Sequence, residues 1–128
     1  KNINVEKAEL DIFKEQLIKA DAIYATGGVS KILKERLQTC PEFADLLAGK
    51  TYAGSSAGAN VVSKYHTSGF TEGVLEGLDI LPVCVMAHYG NPDFNGTDET
   101  EHWFNDVRGD MELIKLPECE WISREVEL

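Results

Sequence analysis

The pentapeptide Gly54-Ser55-Ser56-Ala57-Gly58 fits the pattern Gly-x-Ser-x-Gly. In that pattern a serine projects from a sharp turn between a strand and a helix, where its hydroxyl can act as a nucleophile. Small residues on either side let the chain make the turn without clashes. The flanks agree: Thr51-Tyr52-Ala53-Gly54 reads as a short strand, and Ala57 to Ser63 as a helix starting immediately after it. The first N–H groups of such a helix lack intrahelical partners and favour developing negative charge. The Ala57 N–H is thus a candidate for half of an oxyanion hole. A turn whose glycines serve only helix-on-strand packing would need no serine at its apex, and the strand-to-helix placement favours the nucleophile. Ser55, at the variable position, is expected to point away.

A serine nucleophile needs a base, and the base needs an acceptor to hold its tautomer. His88 follows Val83-Cys84-Val85-Met86-Ala87, the most strand-like run in the chain. His66, in a polar stretch, and His102, beside Glu99 and Glu101, read as solvated. Glu118 follows the strand-like Met111 to Leu116 and is the first choice of acid, with Glu72, Glu76 and Asp79 as alternatives. A metal reading of His88, Asp93, Asp98 and His102 has neither an HExxH motif nor a cysteine pattern behind it, so no metal is expected.

The elements that must position these groups alternate. Asn4 is a candidate cap for a helix to about Lys19, with Leu10, Phe13, Leu17 and Ala20 on one face. Ala22 to Thr26 reads as a buried strand ending in Gly27-Gly28. Helices are predicted from Ser30 and over Pro41 to Leu47, and residues 64–80 read as irregular. A helix capped by Asp98 or Thr100 would carry Trp103, Phe104 and Val107, and Trp121 to Val126 reads as a last strand. There is no internal repeat, low-complexity tract or linker. Strands alternating with helices predict an α/β domain with a mainly parallel sheet, whose sites form at the carboxyl ends of strands. Gly27, Gly28, Ser56, His88 and Glu118 each fall just past a predicted strand, so they should share one edge of the sheet.

Bulk properties exclude several alternatives. The 128 residues suit one domain, and a hydrophobic fraction of 43% supports a core. A net charge of −10 argues against a nucleic-acid surface or a polybasic membrane anchor. No apolar run approaches the roughly 18 residues of a membrane-spanning helix. The cysteines Cys40, Cys84 and Cys119 are odd in number and form no CxxC, which speaks against a disulfide framework or zinc site and for a cytoplasmic setting. The chain opens without Met and ends within a strand-like run, so it reads as a fragment.

Four segments together resemble the peptidase E family, the S51 serine peptidases, which also contains cyanophycinase. They are Ile23-Tyr24-Ala25-Thr26-Gly27-Gly28, Gly54-Ser55-Ser56-Ala57-Gly58-Ala59-Asn60, Ala87-His88-Tyr89, and Leu116-Pro117-Glu118 with Trp121 three residues on. The resemblance implies a three-layer α/β sandwich akin to the class I glutamine amidotransferase domain (flavodoxin-like), with serine in place of cysteine. Against that fold, residues 1–128 would be one domain lacking the first strands and the C-terminal end. The resemblance further implies Ser56 as nucleophile, His88 as general base, Glu118 as the third member, and an oxyanion hole from Gly27 or Gly28 together with Ala57. Some descriptions of the family take an aspartate between serine and histidine instead, but Lys64 to Gly69 contains none. The sequence departs from peptidase E at Thr26, at Val29-Ser30 and at Ser55, where peptidase E has a large aromatic; aspartyl-dipeptide specificity is therefore not implied.

The expected activity is hydrolysis of small peptides through an acyl-enzyme, with no cofactor. The expected partners are a small peptide substrate and a second copy in a homo-oligomer, with no nucleic acid or membrane; a fragment lacking its first strands would be poorly stable or pair with another partner. The rival readings are an esterase of the α/β-hydrolase type, which would need His102 as base with Asp79 or Asp93, and a non-catalytic amidotransferase-like binding module.

Overall fold

The computed structural model describes residues 2–128. Its strands are β1 (Ala22–Ala25), β2 (Thr51–Gly54), β3 (Tyr65–Ser68), β4 (Thr71–Glu76), β5 (Val83–Tyr89) and β6 (Glu112–Pro117). The α-helices are α1 (Phe13–Lys19), α2 (Ser30–Leu37), α3 (Phe43–Leu46) and α4 (Ala57–Val62). Strands β1 and β2 pair in parallel; the other four lie in the order β4-β3-β5-β6. In that second sheet β5 pairs in parallel with both β3 and β6, and only β3–β4 is antiparallel. The fold is therefore mixed α/β with mostly parallel pairing, as the alternating pattern predicts.

Strand β5 shows why parallel pairing suits this sequence. Flanked by β3 and β6, it buries Cys84, Val85, Met86 and Ala87 in succession, so its sequence is continuously apolar rather than alternating. Two apolar clusters support the strands. One gathers Leu17, Leu37, Cys40, Phe43, Leu47, Val61 and Val62 from the four helices and adjoining loops. The other gathers Cys84, Met86 and Phe104, with Tyr65, Val74, Tyr89, Met111 and Leu113 against them.

Several expected elements differ. Asn4 caps nothing: a 3-10 turn at Leu10–Ile12 precedes α1, and the start is tied by Gln16, whose Oε1 accepts the Glu9 N–H at 2.9 Å and whose Nε2 donates to the Lys7 carbonyl at 3.0 Å. Leu10 stays 60% exposed, because only Leu17 of the predicted face meets the core fully. Residues 64–80, expected to be irregular, contain the β3–β4 hairpin turned at Gly69-Phe70. Their glycines suggested a loop, but Gly73 adopts a left-handed conformation (φ 84°) inside β4. At Gly77 a Cβ would sit 2.1 Å from the Ser63 carbonyl oxygen, so its glycine serves a close approach. The helix expected to carry Trp103, Phe104 and Val107 is only a 3-10 turn, Glu101–Phe104, held by fully buried Phe104. Residues 121–126 pair with no strand, and Trp121 is 84% exposed.

Candidate active site

The register of β1 and β2 brings the first two motifs together. Ala25 pairs with Gly54, so the chains leaving both strands run side by side. The Ser55 N–H donates to the Ala25 carbonyl at 2.9 Å. Helix α4 then starts so close to β1 that a Cβ on Gly58 would lie 2.1 Å from the Ala25 oxygen. A Cβ on Gly54 would lie 2.4 Å from the Gly58 carbonyl carbon. Both outer glycines of the motif are thus required by close backbone approach. The serine between them sits at φ 51°, ψ −109°, outside the regions that non-glycine residues ordinarily adopt. This is the strained elbow geometry, and it leaves Ser56 half-buried while Ser55 is exposed. Gly27 lies against Ser56: a Cβ there would come within 3.5 Å of the Ser56 Cβ and 3.9 Å of its Oγ. Gly28 follows at φ 136°.

The histidine comes from the second sheet. Ala87 pairs with Leu116 and Tyr89 with Pro117, so β5 has an extra residue opposite β6, and that residue is His88. Its φ is 56°. A bulge of this kind bends the strand and re-aims one side chain. His88 is therefore inside β5 rather than just past it, and the irregularity turns it toward Ser56. Its Nε2 lies 2.8 Å from Ser56 Oγ, and its Nδ1 lies 3.2 Å from Glu118 Oε1. Glu118 is the residue immediately after β6.

Charge fixes the direction of this chain. The Asn91 amide, and then His88, hold the Glu118 carboxyl below its usual range, so near neutral pH it is an ionised, acceptor-only group. His88 Nδ1 must then carry the proton and donate it to Glu118. In the neutral ring Nε2 is then the acceptor that faces the Ser56 hydroxyl. Phe94 stacks on the imidazole at 4.0 Å between ring centroids and 23° between planes.

The remaining candidates fall elsewhere. His66 is not solvated: it is 2% exposed on β3, its Nδ1 lies 3.0 Å from the Thr67 carbonyl, and burial lowers its pKa. Exposed His102 has its Nδ1 2.7 Å from the Glu99 carbonyl. Asp79 pairs with Lys64 at 3.3 Å, and Asp98 binds Lys115 at 3.1 Å and the Tyr89 hydroxyl at 2.6 Å. Glu72 and Glu76 are exposed on β4. The imidazole on Ser56 Oγ is His88 and not the His102 that the α/β-hydrolase reading needs, and Asp79 pairs with Lys64 instead of a histidine. No group of three or more His, Cys, Asp or Glu side chains is arranged to hold a metal among the described residues. Nor does any helix among them have the length and apolarity to cross a membrane. Sequence reasoning missed Asn91 and Phe94; both lie in the Asn-, Asp- and Gly-rich loop after β5, where composition signals only a turn.

A serine at a strained elbow, a histidine at hydrogen-bond distance and a carboxylate behind it form the arrangement of a serine hydrolase. The profile of peptidase family S51 matches residues 1–127, and the chain belongs to that family. No curated protein and no solved structure gives a significant match.

Proposed function

We propose that this S51 family member is an active serine peptidase that hydrolyses small peptides, in the manner of a dipeptidase E, within the cytoplasm. The observation that carries the reading is the continuous chain Ser56 Oγ–His88 Nε2, 2.8 Å, and His88 Nδ1–Glu118 Oε1, 3.2 Å. In this mechanism Ser56 Oγ attacks the peptide carbonyl carbon as His88 Nε2 takes the hydroxyl proton. The carbonyl oxygen, now negative, is held by the Ala57 N–H and by an N–H of Gly27 or Gly28. His88 returns the proton to the leaving amine, the C–N bond breaks, and an acyl-enzyme remains on Ser56. Water then attacks that ester with His88 again as base, releasing the acid and restoring the serine. Glu118 accepts from Nδ1 throughout and stabilises the imidazolium formed at each transfer.

The test is labelling by a fluorophosphonate, which phosphonylates activated serines without requiring a known substrate. Wild-type protein should be labelled at Ser56, and Ser56→Ala should be inert both to the probe and toward dipeptides. A folded wild-type protein that resists the probe would refute the enzyme and favour the binding-module reading. Turnover of esters without peptides would refute the peptidase.

A further inference from the structure

The exposed position of Glu118 poses a physical problem. Its side chain is 57% accessible, at the end of a flexible stem. Water competes for such a carboxylate, so one long hydrogen bond from His88 is a weak way to hold it. A second donor reaches the same oxygen: Asn91 Nδ2 lies 3.1 Å from Glu118 Oε1. Asn91 is itself fixed. Its N–H donates to the His88 carbonyl at 2.9 Å, and its own carbonyl accepts the Gly96 N–H at 3.2 Å. Its Oδ1 accepts the Asp93 N–H at 3.0 Å, capping the 3-10 turn Pro92–Phe94. The two partners also fix the amide's orientation, since a carboxylate only accepts and an N–H only donates. The turn that Asn91 caps ends in Phe94, the ring stacked on His88. It is anchored in turn by Asn95, whose Nδ2 donates to the Ser68 and Thr71 carbonyls at 2.7 and 3.1 Å.

We propose that Asn91 is a positioning residue of the active site, holding the Glu118 carboxylate on His88 Nδ1 with its Nδ2 while its Oδ1 caps the turn that seats Phe94 on the imidazole. The proposal deepens the hydrolase function above and rests on it. Asn91 makes no hydrogen bond to Ser56; it acts through Glu118.

The two ends of one amide can be separated by substitution. Asn91→Asp keeps an oxygen for the Asp93 N–H but replaces the donor facing Glu118 with a second carboxylate. A merely structural Asn91 would tolerate this change; a positioning Asn91 would not. The readout is the second-order rate of fluorophosphonate labelling, with a thermal melt for each variant. Asn91→Asp should melt within a few degrees of wild type and label about tenfold more slowly or worse, the range expected for a lost hydrogen bond to a charged, partly solvated group. Asn91→Ala should be slowed similarly, and the Asn91→Ala/Glu118→Ala double variant no further than Glu118→Ala alone. Labelling of Asn91→Asp at the wild-type rate overturns the proposal, and so do slowdowns that multiply in the double variant. Should Asn91→Ala not fold, Asn91→Asp decides alone. Wild-type protein unlabelled at Ser56 would refute the hydrolase reading and this role with it; labelled wild type with unslowed Asn91→Asp refutes only the role of Asn91.

Discussion

Replacing Gly58 by Ala tests whether the approach of α4 to β1 sets the position of Ser56, the proposed nucleophile. The added Cβ would sit 2.1 Å from the Ala25 carbonyl oxygen, 2.8 Å from its carbon and 2.9 Å from the Ala25 Cβ. The carbonyl neighbours are backbone, so no rotamer change relieves the clash. Restoring ordinary contact requires β1 and the start of α4 to part by about 1.3 Å in a packed interior. Alanine in a helix gains up to about 1 kcal/mol over glycine. Overpacking of this kind costs about 1–3 kcal/mol and should outweigh that gain. The melting temperature should fall by roughly 3–10 °C. Ser56 is the residue immediately before α4, so half of the displacement passed to Oγ would stretch its 2.8 Å bond to His88 to the limit of hydrogen bonding. Labelling by the fluorophosphonate should accordingly drop by at least tenfold in protein that is still folded at the assay temperature. Thermal melting by circular dichroism and the labelling rate at 25 °C measure the two effects separately. A Gly58→Ala protein that melts at or above wild type and labels at the wild-type rate would refute this account of the elbow.

Three further outcomes are expected. Ser56→Ala should abolish labelling and turnover while keeping the wild-type melting temperature, since among the described residues the hydroxyl's one partner is His88; retained turnover would identify another nucleophile. Glu118→Gln should slow labelling strongly, by up to about 10⁴-fold, without abolishing it, because Ser56, His88 and the N–H donors remain; an unchanged rate would remove Glu118 from the site. Burial lowers the pKa of His66 below the 6.5 of an unfolded histidine, so between these values the unfolded chain binds the extra proton. Stability from this group is complete above pH 6.5 and declines by up to about 1.4 kcal/mol per pH unit as pH falls toward the lowered folded value. Urea unfolding between pH 7.5 and 5 should show that slope, and His66→Asn should flatten it; an equal slope in both proteins would refute the assignment.

What was legible in the sequence was whatever chemistry or close packing restricts to few residue types. The elbow at 54–58 is written in its glycines, because a side chain at either one meets backbone. Strand β5 is written in its unbroken apolar run, and Glu118 in its place after β6. The features that stayed hidden depend on partners remote in sequence. Gly73 looked like a loop residue because only pairing with β3 makes β4 a strand. His66 looked solvated because its polar neighbours conceal that β5 and β4 flank it on either side. The bulge that aims His88 is a mismatch between two strands, and a single strand's sequence does not encode it. Asn91 and Phe94 likewise acquire meaning only when the loop after β5 folds back over the histidine.

The distribution of the apolar clusters has a consequence for how this protein would fail. Ser56 belongs to the segment built on the helical cluster, whereas His88 and Glu118 stand on strands supported by the cluster around Met86 and Phe104. The Ser56–His88 hydrogen bond spans 32 residues of sequence and ties one unit to the other. Cooperative units in a protein can open separately, at free energies below that of global unfolding. If the strand unit opens first, Ser56 keeps its elbow but loses its hydrogen bond to His88. Inactivation on heating would then run ahead of the loss of helical signal, and amide exchange in β5 and β6 would outpace that in α2. Reactivity of Ser56 would serve as a gauge of whether the two halves are docked.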